Sequence, residues 1–398
     1  MNQVDGEDLL GKFYMGKPHG KEFLHSPIAV NFIGPFLKSG LRNFSDFNKA
    51  LFGRICLINT NSQVNVEEEW SLKVVICDHI FPDIEQEKRE LACVPDLELI
   101  DAGCTSKEDV IAACADADAV LNQYNFLTEE VISSFKKCKV ISTYGIGLDK
   151  IDVDAAAKRG IYVCNSPDYN KSEVADHIVT MIMALSRHLK DFDLRVRRGE
   201  YVVPYDWMKP IRPSLQTVGF VGFGRIARQA ADKLHSAFGM NVLCYDPFLT
   251  AEQTAAAGGR KVELEELMRE SDYISINVSL LPTTRNLIGV KEIALMKPSA
   301  FLVNCSRGGI VDEAPLVEAL KSKKIAGAGL DTFAHEPLSP NDPLCQLDNV
   351  ILTPHAAWYT VDAMRELQSM TAKQVALVLT GQEPTRCVNY EEAKKNRK

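Results

Sequence analysis

The sequence has no uninterrupted apolar run approaching about 18 residues, so we expect no membrane-spanning helix. Its N-terminus shows no basic segment followed by an apolar core and a cleavage site, which argues against a secretory leader. The formal net charge of −8 disfavours a nucleic-acid-binding surface, because phosphate backbones are attracted by clustered positive charge. A cytoplasmic protein without membrane or direct nucleic-acid partners is therefore the expectation.

Cysteine pairs and metal motifs are also missing. The 11 cysteines include no C-x-x-C pair, and we find no H-E-x-x-H, no cysteine–histidine cluster and no serine-hydrolase nucleophile elbow. Four cysteines lie inside apolar stretches, where a thiol behaves as a small buried hydrophobe: Cys77, Cys164, Cys244 and Cys305. This pattern favours a reducing compartment without structural disulfides, and it predicts no metal site.

What the sequence does contain is a strand, a glycine-rich turn, a helix and a second strand ending in an acid, over residues 217–246. In the turn G-x-G-x-x-A, Gly222 permits a tight bend, Gly224 lets a pyrophosphate approach the backbone, and Ala227 allows close helix packing. Asp246 follows Gly222 by 24 residues, and it suits a ribose 2′-hydroxyl but repels a 2′-phosphate. The segment therefore predicts NAD as the cofactor.

At 398 residues the chain exceeds the size of a single hydrophobic core, so two domains are expected. Residues 1–70 show no clear periodicity and form an N-terminal extension of unknown role. Residues 172–355 are predicted to be a Rossmann NAD-binding domain. They are inserted in a flavodoxin-like substrate-binding domain made of residues 71–171 and 356–398. Alternating strands and helices predict a doubly wound parallel sheet in each, an α/β fold.

Strands are predicted where short apolar runs are bounded by turn residues. In the first domain they are expected at residues 72–77, 97–101, 119–122, 140–143 and 161–164. In the second, six strands are expected at residues 217–221, 241–245, 273–278, 300–304, 325–330 and 349–352. Helices are expected at residues 84–92, 172–189 and 361–379, and we expect the last of these to pack on the first domain.

Three ionisable residues follow predicted strands of the second domain, at the edge where parallel sheets bind ligands. A guanidinium at Arg307 suits bidentate binding of a carboxylate, although it could instead cap or pair with the next helix. A carboxylate at Glu336 can fix one tautomer of an imidazole at His355 and favour its protonated form, as a general acid/base needs. Two other histidines are weaker candidates for the acid/base. His335 lies in a loop and not at a strand end, and no neighbouring residue singles out His79.

The segments that carry these residues resemble the D-isomer-specific 2-hydroxyacid dehydrogenases. The likeness is strongest at residues 218–226, 296–312, 329–337 and 353–355, and it extends over residues 72–389. The cofactor turn, the arginine, the glutamate and the histidine follow one another along the chain in the same order as in the family.

The resemblance implies a mechanism that agrees with the roles inferred above from the residues alone. His355 would give a proton to the 2-keto oxygen while NADH delivers hydride to the carbonyl carbon, and Glu336 would keep the imidazole protonated. Arg307 would hold the substrate carboxylate. Residues 144–147 match the family's substrate loop, whose backbone amides bind that carboxylate, so Tyr144 and Gly145 are expected substrate contacts.

Further cofactor contacts are expected elsewhere in the second domain. They are Arg225, Ile226, Asn277, Cys305 and Asp331, the last at a position that contacts the nicotinamide carboxamide in the family. At Asn277 the sequence departs from the family, which commonly has a histidine and a proline in this loop.

Residues 355–359 resemble the C-terminal-binding-protein branch of the family, in which corepressors retain a dehydrogenase fold. Trp358 would then line the substrate pocket, or alternatively pack in the domain hinge. Three functions remain open: a 2-keto acid reductase, an NADH-sensing corepressor-like scaffold with weak activity, and a short-form phosphoglycerate dehydrogenase or glyoxylate/hydroxypyruvate reductase. The resemblance also implies a homodimer.

Overall fold

The computed structural model describes residues 71–201 and 210–397. The predicted N-terminal extension, residues 1–70, lies outside the described residues. Two parallel β-sheets with helices on both faces make up the described part. This confirms the predicted α/β class with two parallel-sheet domains. None of the helices in the described ranges combines the length and the hydrophobicity that crossing a bilayer requires.

The first sheet contains five parallel strands, which match the predicted bounds to within one residue. They are β1 (Leu72–Ile76), β2 (Leu97–Asp101), β3 (Ala119–Asn122), β4 (Val140–Thr143) and β5 (Tyr162–Cys164). Their spatial order is β2-β1-β3-β4-β5, which is flavodoxin-like. The helices that alternate with them are α1 (Glu85–Leu91), α2 (Lys107–Cys114), α3 (Glu129–Ser134) and α4 (Val153–Lys158).

Two helices lead from the first sheet to the second, α5 (Lys171–Ser186) and α6 (Leu189–Arg197). The prediction of a single helix over residues 172–189 is wrong at its C-terminal end. His188 adopts a left-handed backbone with φ of 50°, which an α-helix cannot continue through, so the chain changes direction there.

The second sheet contains seven parallel strands. They are β6 (Thr217–Val221), β7 (Asn241–Tyr245), β8 (Arg260–Lys261), β9 (Tyr273–Ile276), β10 (Phe301–Asn304), β11 (Gly327–Leu330) and β12 (Val350–Leu352). Their order, β12-β11-β10-β9-β6-β7-β8, is the Rossmann order with one added strand. The helices are α7 (Arg225–Phe238), α8 (Ala251–Ala256), α9 (Leu264–Glu270), α10 (Val290–Leu295) and α11 (Glu313–Lys321). The prediction of six strands missed β8, because two polar residues give no apolar run.

After β12 the chain returns to the first sheet through α12 (Val361–Leu379) and α13 (Tyr390–Asn396). The predicted bounds of α12 are confirmed, and so is its packing. Leu367, Ala372 and Val375 share a buried cluster with Val74 and Leu121 of the first sheet. Residues 353–360 therefore cross from the carboxyl end of the second sheet to the first domain.

Candidate active site

The glycine turn has a geometry that only glycine satisfies at its first position. Gly222 has a φ of 87°, and a Cβ there would lie 2.7 Å from Val278 Cγ1 and 2.8 Å from the Asn277 carbonyl oxygen. Gly224, the N-cap of α7, has no atom within 4 Å of its Cβ position, so a ligand can approach this face of the turn.

The start of α7 offers several hydrogen-bond donors. The amides of Gly224, Arg225 and Ile226 have no acceptor among the described residues. Such amides at a helix start, together with the helix dipole, bind a phosphate group. The turn therefore fits the diphosphate of a dinucleotide.

Asp246 at the end of β7 is fixed beside this turn. Its carboxylate accepts hydrogen bonds from the Phe223 amide at 3.0 Å and the Phe248 amide at 2.9 Å. Each carboxylate oxygen can accept a second bond, so the group remains able to bind a ribose hydroxyl. Arg225, by contrast, forms an ion pair with Asp168, which lies between β5 and α5.

His355 and Glu336 form a hydrogen-bonded pair. His355 Nδ1 lies 2.8 Å from Glu336 Oε2, and Glu336 Oε1 accepts a 3.0 Å bond from the Phe333 amide. Partial burial raises the pKa of Glu336, but the hydrogen bond and charge of His355 outweigh it and bring that pKa below its ordinary value. Because an ionised carboxylate only accepts, Nδ1 carries a proton. Nε2 has no partner in the described part of the chain and is free to face a substrate.

The backbone at His355 is left-handed, with φ of 54°, and Asp331 holds it there. The His355 amide donates to the Asp331 carbonyl at 2.8 Å. The fully buried Asp331 carboxylate accepts from the amides of Ala356 at 2.8 Å and Ala357 at 3.0 Å, and from Thr353 Oγ1 at 2.5 Å. The expected nicotinamide contact of Asp331 stays a prediction, and its carboxylate already serves this turn.

Arg307 reaches from β10 towards the first domain. Its Nη1 donates to the Ser306 carbonyl at 2.9 Å, and its Nε lies 3.6 Å from Asp149 Oδ1. A Cβ on Gly147 would lie 2.3 Å from Arg307 Nη2, so the guanidinium rests directly on that glycine. The side chain makes no capping bond to the following 3-10 helix, Gly308–Ile310, so the capping alternative does not apply.

The loop after β4 differs in detail from the prediction. The Tyr144 ring is buried, and its hydroxyl donates to Glu87 at 2.8 Å. The amide of Tyr144 donates to the Asn122 carbonyl, and that of Gly145 to the Thr143 carbonyl, each at 2.9 Å. These two amides are therefore occupied within the first domain.

The next two amides of this loop, those of Ile146 and Gly147, have no acceptor in the ranges that the structure covers. Arg307 packs on the loop at Gly147. The sequence predicts residues 144–147 as the substrate loop, with Tyr144 and Gly145 as the expected contacts. The two later amides and Arg307 form the arrangement that can bind a carboxylate from both sides.

The remaining predicted positions vary in their surroundings. Asn277 Nδ2 donates to the Ser275 carbonyl at 3.0 Å and to Ser275 Oγ at 2.9 Å, so its side-chain amide is used locally. Ile226 packs against the core formed by α5 and α7. Burial and the nearby Asp331 raise the pKa of the Cys305 thiol well above its usual value.

Trp358 lies between the two domains. It packs against buried clusters of both sheets, with its ring 6.2 Å from that of Tyr169 and 5.5 Å from that of Tyr359. This packing favours the hinge alternative over a pocket lining. His79 has both ring nitrogens engaged, with Asp101 Oδ2 at 3.1 Å and the Phe81 amide at 3.0 Å. Over the described ranges, no group of three or more His, Cys, Asp or Glu residues could hold a metal ion.

Comparison with known proteins adds a family assignment. Residues 179–357 match the family model described as "D-isomer specific 2-hydroxyacid dehydrogenase, NAD binding domain". A D-3-phosphoglycerate dehydrogenase of Methanocaldococcus jannaschii is 38% identical over 320 residues, which are 80% of this chain and 59% of that protein. The chain thus spans less than two thirds of that relative.

Two further comparisons cover nearly the whole of the other protein. A glyoxylate reductase of Korarchaeum cryptofilum is 37% identical over 295 residues, 73% of this chain and 88% of the reductase. Among solved structures, the D-lactate dehydrogenase of Lactobacillus jensenii with NAD+ is similar with a TM-score of 0.64 and 31% identity. That match covers 80% of this chain and 99% of the other.

Proposed function

Because the chain belongs to the D-isomer specific 2-hydroxyacid dehydrogenase family, we propose that it uses NADH to reduce a small 2-keto acid to the 2-hydroxy acid. NAD is the cofactor of the family, and its reduced form, NADH, would supply the hydride when bound. The observation that carries the proposal is the 2.8 Å bond between His355 Nδ1 and Glu336 Oε2, which leaves Nε2 free.

In this proposal His355 is the general acid of the reduction and the general base of the reverse reaction. Nε2 donates the proton to the keto oxygen, and the ionised Glu336 stabilises the protonated ring before transfer. The low pKa of Glu336 keeps its carboxylate charged, so the pair does not neutralise itself by moving the proton to the acid.

Arg307 and the amides of Ile146 and Gly147 would bind the substrate carboxylate. A guanidinium and two amides match the two oxygens of a carboxylate and fix its orientation. Because Arg307 belongs to the second domain and the amides to the first, this site is complete only where the domains meet.

The glycine turn would bind the cofactor through the amides of Gly224, Arg225 and Ile226. Asp246 would accept the ribose hydroxyls and disfavour a 2′-phosphate, which makes NAD the preferred cofactor over NADP. The turn lies at the carboxyl end of β6, in the middle of the second sheet, where doubly wound folds bind dinucleotides.

The division of labour follows the two sheets. We propose that residues 71–171 and 356–398 bind the substrate, residues 172–355 bind NAD, and the protein acts as a cytoplasmic homodimer. The packing of α12 on the first sheet supports this division. All ten cysteines in the described ranges are free thiols, in keeping with a reducing compartment.

A substrate panel tests the proposal. Purified protein is mixed with NADH and, separately, glyoxylate, hydroxypyruvate, phenylpyruvate, 4-methylthio-2-oxobutyrate and 3-phosphohydroxypyruvate, and NADH oxidation is followed. Turnover with any unphosphorylated acid supports the reductase, and preference for the phosphorylated acid supports a short phosphoglycerate dehydrogenase. NADH binding without turnover of any acid would overturn the proposal. It would favour the corepressor-like scaffold instead, the function that residues 355–359 suggest.

A further inference from the structure

The loop that carries His355 is held at both ends by one face of α5. Thr353 precedes the histidine, and its Oγ1 lies 3.0 Å from His177 Nε2. Thr360, after it, donates its hydroxyl to Glu173 Oε1 at 3.3 Å. His177 and Glu173 are four residues apart, so they lie on the same side of the helix.

The hydrogen bonds at Thr353 have a defined direction. The Thr353 hydroxyl has one proton, and its 2.5 Å contact with Asp331 Oδ1 uses that proton, because the carboxylate can only accept. Thr353 Oγ1 must then accept from His177, which places a proton on His177 Nε2. The chain of bonds runs from His177 through Thr353 to Asp331, whose carboxylate also receives the amides of Ala356 and Ala357.

We propose that His177 is a positioning residue, which fixes the orientation of the acid/base His355 through Thr353 and Asp331. This inference rests on the proposed function. A left-handed backbone at a histidine is disfavoured and persists only where its surroundings hold it. Asp331 provides the three bonds that hold the turn, and Thr353 and His177 fix the Asp331 carboxylate in turn.

The position of α5 makes it a suitable support for this turn. The helix packs on the second sheet so closely that a Cβ on Gly329 of β11 would lie 2.6 Å from Met181 Sδ. Its buried residues share one cluster with α7, the helix that follows the glycine turn. The same helix therefore fixes the cofactor turn and the histidine turn relative to each other.

Paired substitutions at Thr353 test the proposal in the full-length protein. Thr353→Val removes the hydroxyl and keeps the shape, whereas Thr353→Ser keeps the hydroxyl. We expect kcat of Thr353→Val to fall about tenfold or more, because a small misplacement of a reacting group has effects of this size. We expect Thr353→Ser to stay within about threefold of wild type. The NADH Kd and the KM for the keto acid should change little in both.

His177 offers a second pair that does not depend on the folding of Thr353→Val. Gln can place its amide nitrogen near the position of Nε2, so His177→Gln should retain more kcat than His177→Ala, by at least about threefold. Equal kcat values within each pair, in proteins with unchanged circular dichroism and melting temperature, would overturn the positioning role.

A spectroscopic readout separates this inference from the proposed function. The ring nitrogen resonances of His355, assigned through their loss in His355→Gln, report its bond to Glu336 in the NADH complex. We expect them to shift in Thr353→Val and to stay in place in Thr353→Ser. If no keto acid is turned over, the proposed function fails while these resonances still test the positioning. Identical His355 resonances in wild type and Thr353→Val contradict it.

Discussion

Glu336→Gln is the sharpest test of the proton-donating pair. The substitution keeps the size of the side chain but removes the charge that faces His355 Nδ1 at 2.8 Å. Two unit charges about 4 Å apart attract by ~4 kcal/mol at an effective dielectric constant of about 20, and by ~1 kcal/mol in water. The side chains of His355 and Glu336 are 39% and 37% exposed, so solvent screens their interaction and an intermediate value is appropriate. We take about 2 kcal/mol, which corresponds to a fall in kcat of roughly 30-fold.

The assay is steady-state NADH oxidation with the best acid of the substrate panel. Glu336 forms no hydrogen bond with the loop at Ile146 and Gly147 or with the glycine turn, so KM for the acid and Kd for NADH should change by less than about twofold. Glu313→Gln is the matched control. Glu313 accepts the Ala334 amide in the same region and makes no bond to His355, and its variant should keep wild-type kcat.

A Glu336→Gln enzyme with kcat within about twofold of wild type would refute the electrostatic role of the carboxylate. So would an equal loss in Glu313→Gln, because the effect would then reflect the loop and not the pair. The dependence of stability on pH gives an independent check. The pKa of Glu336 in the folded protein is below the value of about 4.3 for a free glutamate. The ionised carboxylate therefore stabilises the fold at pH values above about 4.3. The difference in Tm between wild type and Glu336→Gln should therefore shrink as pH falls through the lowered pKa.

Three further substitutions have distinct expected results. Arg307→Lys should raise KM for every keto acid by at least about tenfold, because a point charge cannot replace the bidentate fork; unchanged KM values would remove its carboxylate-binding role. Asp246→Ala should weaken NADH binding and reduce the preference for NADH over NADPH. If titration showed the same preference in the variant as in the wild type, the ribose contact would be contradicted. Gly222→Ala should lose most NADH binding, because its Cβ would lie 2.7 Å from Val278 Cγ1; wild-type Kd in the variant would show that the turn tolerates the change.

The sequence predicts the fold well where the determinants are local. The bounds of α12 follow from its apolar period and from Thr360, whose hydroxyl accepts the Ala363 amide as an N-cap. The two-residue strand β8 has no such signal, since Arg260 and Lys261 pair with β7 only because the chain brings them beside it. The break at His188 is likewise absent from the helical period.

The site follows the same rule. The positions of Arg307, Glu336 and His355 after strands of one sheet could be predicted, because parallel strands bring their carboxyl ends to one edge. Which amides of residues 144–147 remain free could not, because it depends on the carbonyls of Asn122 and Thr143 in the folded first sheet. The bond from His177 to Thr353 joins residues 176 positions apart, so no local sequence pattern predicts it.

The two halves of the proposed chemistry are attached to the fold in different ways. Glu336 and His355 both follow strands of the second sheet, and Asp331 fixes the histidine within that domain, so their bond is independent of the first sheet. The proposed carboxylate site, in contrast, combines Arg307 from one domain with the amides at Gly147 from the other. A relative motion of the domains would thus open or complete the substrate site while the acid/base pair stays intact. Substitutions that alter the domain contact should accordingly change KM for the keto acid, and those within the second domain that disturb the histidine turn should change kcat.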